Sequence, residues 1–133
     1  MKEYLFVYGS LKRESENNLS AIDKKMHLLL AKHSEFIGKA ICYGKLYLID
    51  NYPGAVLSNI KSNIIHGEVY KILDSSILSH LDEYEECSPD FSEPTKYKRE
   101  KCNVYIDGNV IKSWIFTYNR SVKGKKEIKS GKW

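Results

Sequence analysis

Tyr4-Leu5-Phe6-Val7-Tyr8-Gly9-Ser10-Leu11-Lys12 gathers aromatic and branched residues into a run that stops at a Gly-Ser step. Such a run fits the pleated, half-buried surface of a strand, and the glycine lets the backbone turn or come close to a neighbour. On its own this is equally a first strand with its turn or a strand that delivers a loop to a ligand. The rest of the chain decides between them.

Downstream, residues 12–18 are polar and turn-like. Leu19, Ile22, Met26, Leu29 and Leu30 then recur at helical spacing, and Ser20 with Asp23 forms a box-like start, so an amphipathic helix packed on the core is expected. From Glu35 to Leu48 the apolar residues lose that period and are interrupted by Gly38 and Gly44, which suits a bulged strand of a curved sheet or small barrel. Asp50-Asn51-Tyr52-Pro53-Gly54 is a strong turn signal before a short strand over Ala55-Val56-Leu57. Asn63 to Leu73 reads as another strand. Asp74, Ser75 and Ser76 offer cap oxygens to a second helix carrying Ile77, Leu78 and Leu81. Pro89 ends that helix near Glu86 and leaves Cys87 to Lys96 as a loop. Tyr97 to Ile106 and Val110 to Tyr118 flank Asp107-Gly108-Asn109 as a hairpin. Along its second strand Trp114, Phe116 and Tyr118 share one face, and Ser113, Ile115 and Thr117 the other. The expected fold is α+β: a single-domain, small mixed β-barrel of about six strands with two flanking helices.

At 133 residues the chain is long enough for one domain with a proper core. No stretch approaches a membrane span, and Lys2 and Glu3 lead directly into the first strand without a signal-like segment, so a cytoplasmic protein is expected. Cys42, Cys87 and Cys102 are odd in number and far apart, which favours free thiols. The net charge of +4 is concentrated at one end: residues 120–133 hold six basic residues and one acid, leaving 15 basic against 16 acidic elsewhere. We therefore read 1–119 as the domain and 120–133 as a basic tail packing onto it or extending from it, mostly solvated and pinned by Trp133. A basic tail can meet nucleic acid, but no nucleic-acid motif accompanies this one, and nucleic acid is not the expected partner.

One residue conflicts with its surroundings. At about 100° per residue from Leu78, Leu81 falls near 300° and Glu85 near 340°, which places Glu85 on the apolar face of the second helix. Glu83 and Glu86 fall off that stripe, and Asp82 lies at its edge. A buried carboxylate is costly unless it is paired, hydrogen-bonded or protonated. Either Glu85 turns to solvent or to a cation such as Arg99, or its burial has a chemical use.

Leu81-Asp82-Glu83-Tyr84-Glu85, together with Tyr8-Gly9-Ser10-Leu11, resembles the γ-glutamylcyclotransferase-like family, of the γ-glutamylamine cyclotransferase type. Further landmarks follow in family order: Phe36-Ile37-Gly38, Gly44-Lys45-Leu46-Tyr47, Tyr52-Pro53-Gly54-Ala55, His66-Gly67-Glu68-Val69-Tyr70, Tyr97-x-Arg99, Trp114-x-x-x-Tyr118 and Gly131-x-Trp133. The resemblance implies Glu85 as catalytic acid/base. It also implies a loop whose Gly9, Ser10 and Leu11 N–H groups bind a γ-glutamyl substrate and its oxyanion. Tyr8 and Tyr118 would shape the pocket, and Arg99 would hold a substrate carboxylate. It implies cyclisation of a small γ-glutamyl compound to 5-oxoproline with release of an amine or amino acid, without a cofactor or metal. His27, His33, His66 and His80 show no ligand spacing. Two features depart from the family pattern: Glu86 stands where a glycine often follows the catalytic residue, and Lys12 to Leu30 is longer than in compact members. The alternatives are a binding module of the same fold without turnover and, with less support, a hydrolase using Ser10 with His80 and Asp82.

Overall fold

In the first strand every side chain from Leu5 to Tyr8 is buried, because both faces of the strand are covered. Leu5 and Val7 pack with Met26, Leu30, Ile77 and Leu81 in a core beneath the helices, whereas Phe6 and Tyr8 join Cys42, Leu46, Ile65, Val69, Val104 and Ile115 in a core made by strands alone. The computed structural model describes residues 2–13, 20–87 and 94–133. The expected turn at 14–18, Leu19 at the head of the first helix, and Pro89 lie outside these.

The elements are β1 (Glu3–Val7), α1 (Ala21–His33), β2 (Ser34–Leu48), β3 (Pro53–Leu57), β4 (Ile64–Ile72), α2 (Ser76–Tyr84), β5 (Tyr97–Ile106), β6 (Asn109–Tyr118) and β7 (Lys126–Ile128). Hydrogen bonding runs β2–β4–β1–β6–β5, and the pairing of Ile41 with Tyr105 returns β5 to β2 and closes a five-stranded barrel. The β1–β6 contact, Leu5 against Trp114, is parallel; the other described pairings are antiparallel. Closure removes the exposed edges an open sheet of this size would carry. The register of β2 slips between Phe36 and Gly38, at the glycine expected to mark a bulge. The faces expected for β6 hold: Ile115 points into the barrel core, while Trp114, Phe116 and Tyr118 join the helix-side core.

Helix α1 begins where the Ser20 side chain accepts the Asp23 N–H at 3.2 Å, the expected cap. Met26 and Leu30 are buried, but Ile22, expected on the core face, is 60% exposed, since burial starts one turn later. At α2 the useful cap oxygen is that of Asp74, which accepts the Ser76 N–H at 3.0 Å, while Ser75 makes no side-chain cap bond.

Two further strands pair with the far end of β2. Strand β3 was expected; β7 was not, and it makes seven strands in place of about six. The segment beyond residue 120 is thus tied to the barrel: Lys126–Ile128 pair with Leu46–Leu48, and Gly131 accepts the His66 N–H at 2.8 Å. Gly131 adopts φ +68, and a Cβ there would lie 1.8 Å from the Ile64 carbonyl oxygen, so only glycine fits this crossing. Among the described residues no helix is long and apolar enough to cross a membrane.

Candidate active site

At the open end of β1 the barrel leaves a cavity of about 340 Å³. The turn after β1 supplies one wall through Gly9, Ser10 and Leu11, with the Lys12 N–H closing on the Gly9 carbonyl at 3.1 Å. The start of α1 contributes Ser20 and Asp23, the end of α2 contributes Tyr84, Glu85 and Glu86, and the turn before β3 contributes Asn51, Tyr52 and Pro53. Gly9 sits against Pro53: a Cβ at this position would lie 3.1 Å from the proline Cγ.

Glu85 is the residue at which α2 stops. Its N–H still bonds the Leu81 carbonyl at 2.8 Å, but its backbone leaves helical geometry, and the next residue, Glu86, turns back at φ 56. The half-buried side chain points into the cavity rather than into solvent. Among the described residues, nothing donates a hydrogen bond to its carboxylate, and the nearest charges are acidic. Burial first, then Asp23 and Glu86, push its pKa from the ordinary carboxylate range to about 8.

A hydrogen-bonded frame surrounds it. Tyr84 donates its hydroxyl to Asp23 and lies 3.1 Å from Ser10 Oγ. The His27 imidazole meets the Ser10 carbonyl at 2.6 Å, so α1 holds the turn from behind. Tyr8 donates to the Phe116 carbonyl at 2.6 Å and accepts the Ala55 N–H at 3.2 Å, while Tyr97 donates to the Pro53 carbonyl at 2.7 Å. Burial raises the pKa of all three phenols, so they remain neutral donors. No described residue accepts the backbone N–H of Ser10 or Leu11, two residues of the cavity wall.

Of the residues named from the sequence, Tyr8, Gly9, Ser10, Leu11 and Glu85 meet in this cavity. Arg99 and Tyr118 are not among the described residues that line it. Arg99 grips Asp82 through two bonds of 2.7 and 3.2 Å and stacks on Trp114 at 4.4 Å, so its guanidinium ties α2 to the sheet. Tyr118 stands one ring behind, 5.7 Å from Tyr97. The hydrolase arrangement does not assemble: Ser10 Oγ faces Tyr84, Asp82 is held by Arg99, and His80 is exposed. Asp23, Tyr52, Tyr84 and Tyr97 were not legible as site residues. Tyr84 had a signal, since it lies three residues after Leu81 and seven after Ile77, the two side chains α2 buries most deeply. Among the described residues no cluster is suited to a metal ion.

Comparison with known proteins places these features in a family. The model described as "Gamma-glutamyl cyclotransferase, AIG2-like" matches residues 5–133. The gamma-glutamylcyclotransferase family protein ytfP of Citrobacter rodentium is 33% identical over 129 residues, 97% of this chain and 93% of that one. The mouse gamma-glutamylaminecyclotransferase is 25% identical over 132 residues, 86% of this chain and 76% of that one. The crystal structure of YkqA from Bacillus subtilis superposes on all of this chain with a TM-score of 0.70 at 27% identity, and the chain spans only 40% of that longer protein.

Proposed function

Since this chain belongs to the gamma-glutamyl cyclotransferase, AIG2-like family, we propose that its cavity cyclises a small γ-glutamyl compound to 5-oxoproline and releases an amine. The observation that carries this proposal is Glu85: a carboxyl without a hydrogen-bond donor among the described residues, inside a cavity, with its pKa pushed up to about 8. A free α-ammonium group has a pKa near 8. The two groups are therefore matched, and a proton passes between them at little cost in either direction.

In the proposed sequence the γ-glutamyl chain curls so that its α-nitrogen faces its own γ-carbonyl, a proximity that accounts for much of the rate of an intramolecular attack. Ionised Glu85 takes a proton from the α-ammonium. The amine attacks the carbonyl carbon, the ring closes, and the oxygen becomes an oxyanion. The N–H groups of Ser10 and Leu11, which no described residue accepts, are the donors that would stabilise it. Glu85 then returns its proton to the departing nitrogen, the carbon–nitrogen bond breaks, and the ring nitrogen gives up its second proton to the released amine, so that 5-oxoproline leaves with an ammonium product. Tyr84, fixed by Asp23 and Ser10, keeps the end of α2 and the substrate turn in register.

The test is to incubate the protein with a panel of γ-glutamyl amides and γ-glutamyl amino acids and to measure 5-oxoproline. Release from at least one compound, lost in Glu85→Gln, is the expected result. Tight binding of these compounds without release would favour a binding module of the same fold.

A further inference from the structure

Two of the three cysteines meet across the seam at which the barrel closes. Cys42 on β2 is 1% exposed, and the half-buried Cys102 on β5 packs against the same barrel core. The pairing of Ile41 with Tyr105, continued by one step, sets Cys42 across from Val104. Cys102 lies two residues before Val104, so it shares that face of β5 and stands diagonally from Cys42. The Cys42 thiol donates a hydrogen bond to the Cys102 sulfur. Both thiols line a second cavity of about 310 Å³, walled by Tyr43, Leu57, Asn103 and Tyr105. It shares no described residue with the cavity at the end of β1. We propose that this pair is an oxidation site: a small hydroperoxide entering the second cavity converts Cys42 and Cys102 to a disulfide that joins β2 to β5.

The two sulfurs have unequal parts. The bond from Cys42 favours the Cys102 thiolate and lowers its pKa, against burial and the nearby Glu100. The same bond, with burial, raises the pKa of Cys42, which stays protonated. Cys102, the more exposed of the two, is therefore the attacking sulfur. Its thiolate attacks one oxygen of the hydroperoxide: a sulfur–oxygen bond forms and the oxygen–oxygen bond breaks. The departing alkoxide takes a proton from water and leaves as an alcohol. The Cys42 sulfur then attacks the sulfenic acid on Cys102. The sulfur–sulfur bond forms, the sulfur–oxygen bond breaks, and the hydroxyl group leaves as water with the Cys42 proton. Two electrons pass from the thiols to the peroxide. Cys87 is a built-in comparison, since its thiol donates to Asp82 at 3.7 Å and its pKa is pushed up to about 12, by burial first and then by Asp82. The new link lies beside the one described register pair of β2 with β5 and spans a long stretch of sequence, so it should stabilise the closed barrel.

The experiment treats the reduced full chain with a modest excess of hydrogen peroxide and maps its peptides without reduction. Cys42 should be found joined to Cys102 within one chain while Cys87 stays free, and dithiothreitol should restore all three thiols. The oxidised protein should melt about 5 °C or more above the reduced one. Before oxidation, iodoacetamide at neutral pH should alkylate Cys102 about tenfold or more faster than Cys87. In Cys42→Ala the sulfenic acid on Cys102 should persist and be trapped by dimedone, and Cys42→Ser serves the same purpose if the alanine variant does not fold. Cys87→Ser should leave the link unchanged. Oxidation of Cys87 ahead of Cys102, a link between two chains, or three intact thiols under conditions that oxidise free cysteine would overturn the proposal. So would a melting temperature lowered by the link. None of these outcomes bears on the cyclisation, which is assayed at the other cavity.

Discussion

Glu85 joins the chemistry to the energetics of the fold. Replacing it with Gln keeps the shape but removes the proton shuttle, so turnover should fall by roughly 10²–10⁴. The wild-type rate should rise with pH on a limb set by the carboxyl with its pKa at about 8, and the variant should lack that limb. The same group makes stability depend on pH. Its folded pKa lies above the unfolded carboxylate value, so between the two the folded state binds the extra proton, and stability falls as pH rises until both states are ionised. A tenfold difference in proton affinity between the two states is worth about 1.4 kcal/mol, lessened here because the half-buried carboxylate still reaches water in the cavity. Urea titrations from about pH 4 to 9 should show Glu85→Gln equal to wild type at the acid end and increasingly more stable toward the alkaline end. A constant difference across that range would show that Glu85 does not titrate as described. At the neighbouring turn, Ser10→Ala should retain most activity, because the proposed donors are backbone groups. Gly9→Val should abolish it, because even the first added carbon would crowd Pro53 at 3.1 Å. A dead Ser10→Ala with a covalent adduct on Ser10 would restore the hydrolase.

At the level of elements, local chemistry made some features legible and tertiary pairing hid others. The apolar run of β1, the Ser20 cap, the bulge at Gly38 and the turn at Asp107-Gly108 each follow from a few adjacent residues, and each is present. Strand β7 has no such signal. Lys126-Glu127-Ile128 is polar, and it becomes a strand because the far end of β2 presents a free edge to it. Arg99 illustrates the same limit within the site: the sequence supplies a cation near a carboxylate cavity, but only the packing of α2 on β5 shows that Asp82 claims it. Where a fit is set by one crossing, a single substitution should expose it. Gly131→Ala places a methyl group against the Ile64 carbonyl and strains a left-handed residue, so a loss of about 1–3 kcal/mol is expected. Hydrogen exchange at the His66 amide, whose acceptor is Gly131, should lose its protection, while amides of the β5–β6 hairpin keep theirs.

For the molecule as a whole, the helix-side core and the barrel core share β1 as their common wall. Leu81→Ala and Ile65→Ala each empty a fully buried position in one of them, and each should cost about 2–5 kcal/mol. Because the wall is shared, circular dichroism and tryptophan fluorescence should still report one coincident unfolding transition in both variants; two separated transitions would mean that the cores melt independently. The place of β1 between β4 and β6 has a further consequence during synthesis. A chain emerging from the ribosome makes β1 early, yet its two neighbours, residues 64–72 and 109–118, come much later. Until the second of them arrives, the segment leading to Gly9 has a bare edge, and a chain interrupted before that point would present a surface prone to association instead of a pocket. The cavity is thus tied to completion of the barrel: the turn translated ahead of both neighbours of β1 is among the last to acquire its working shape.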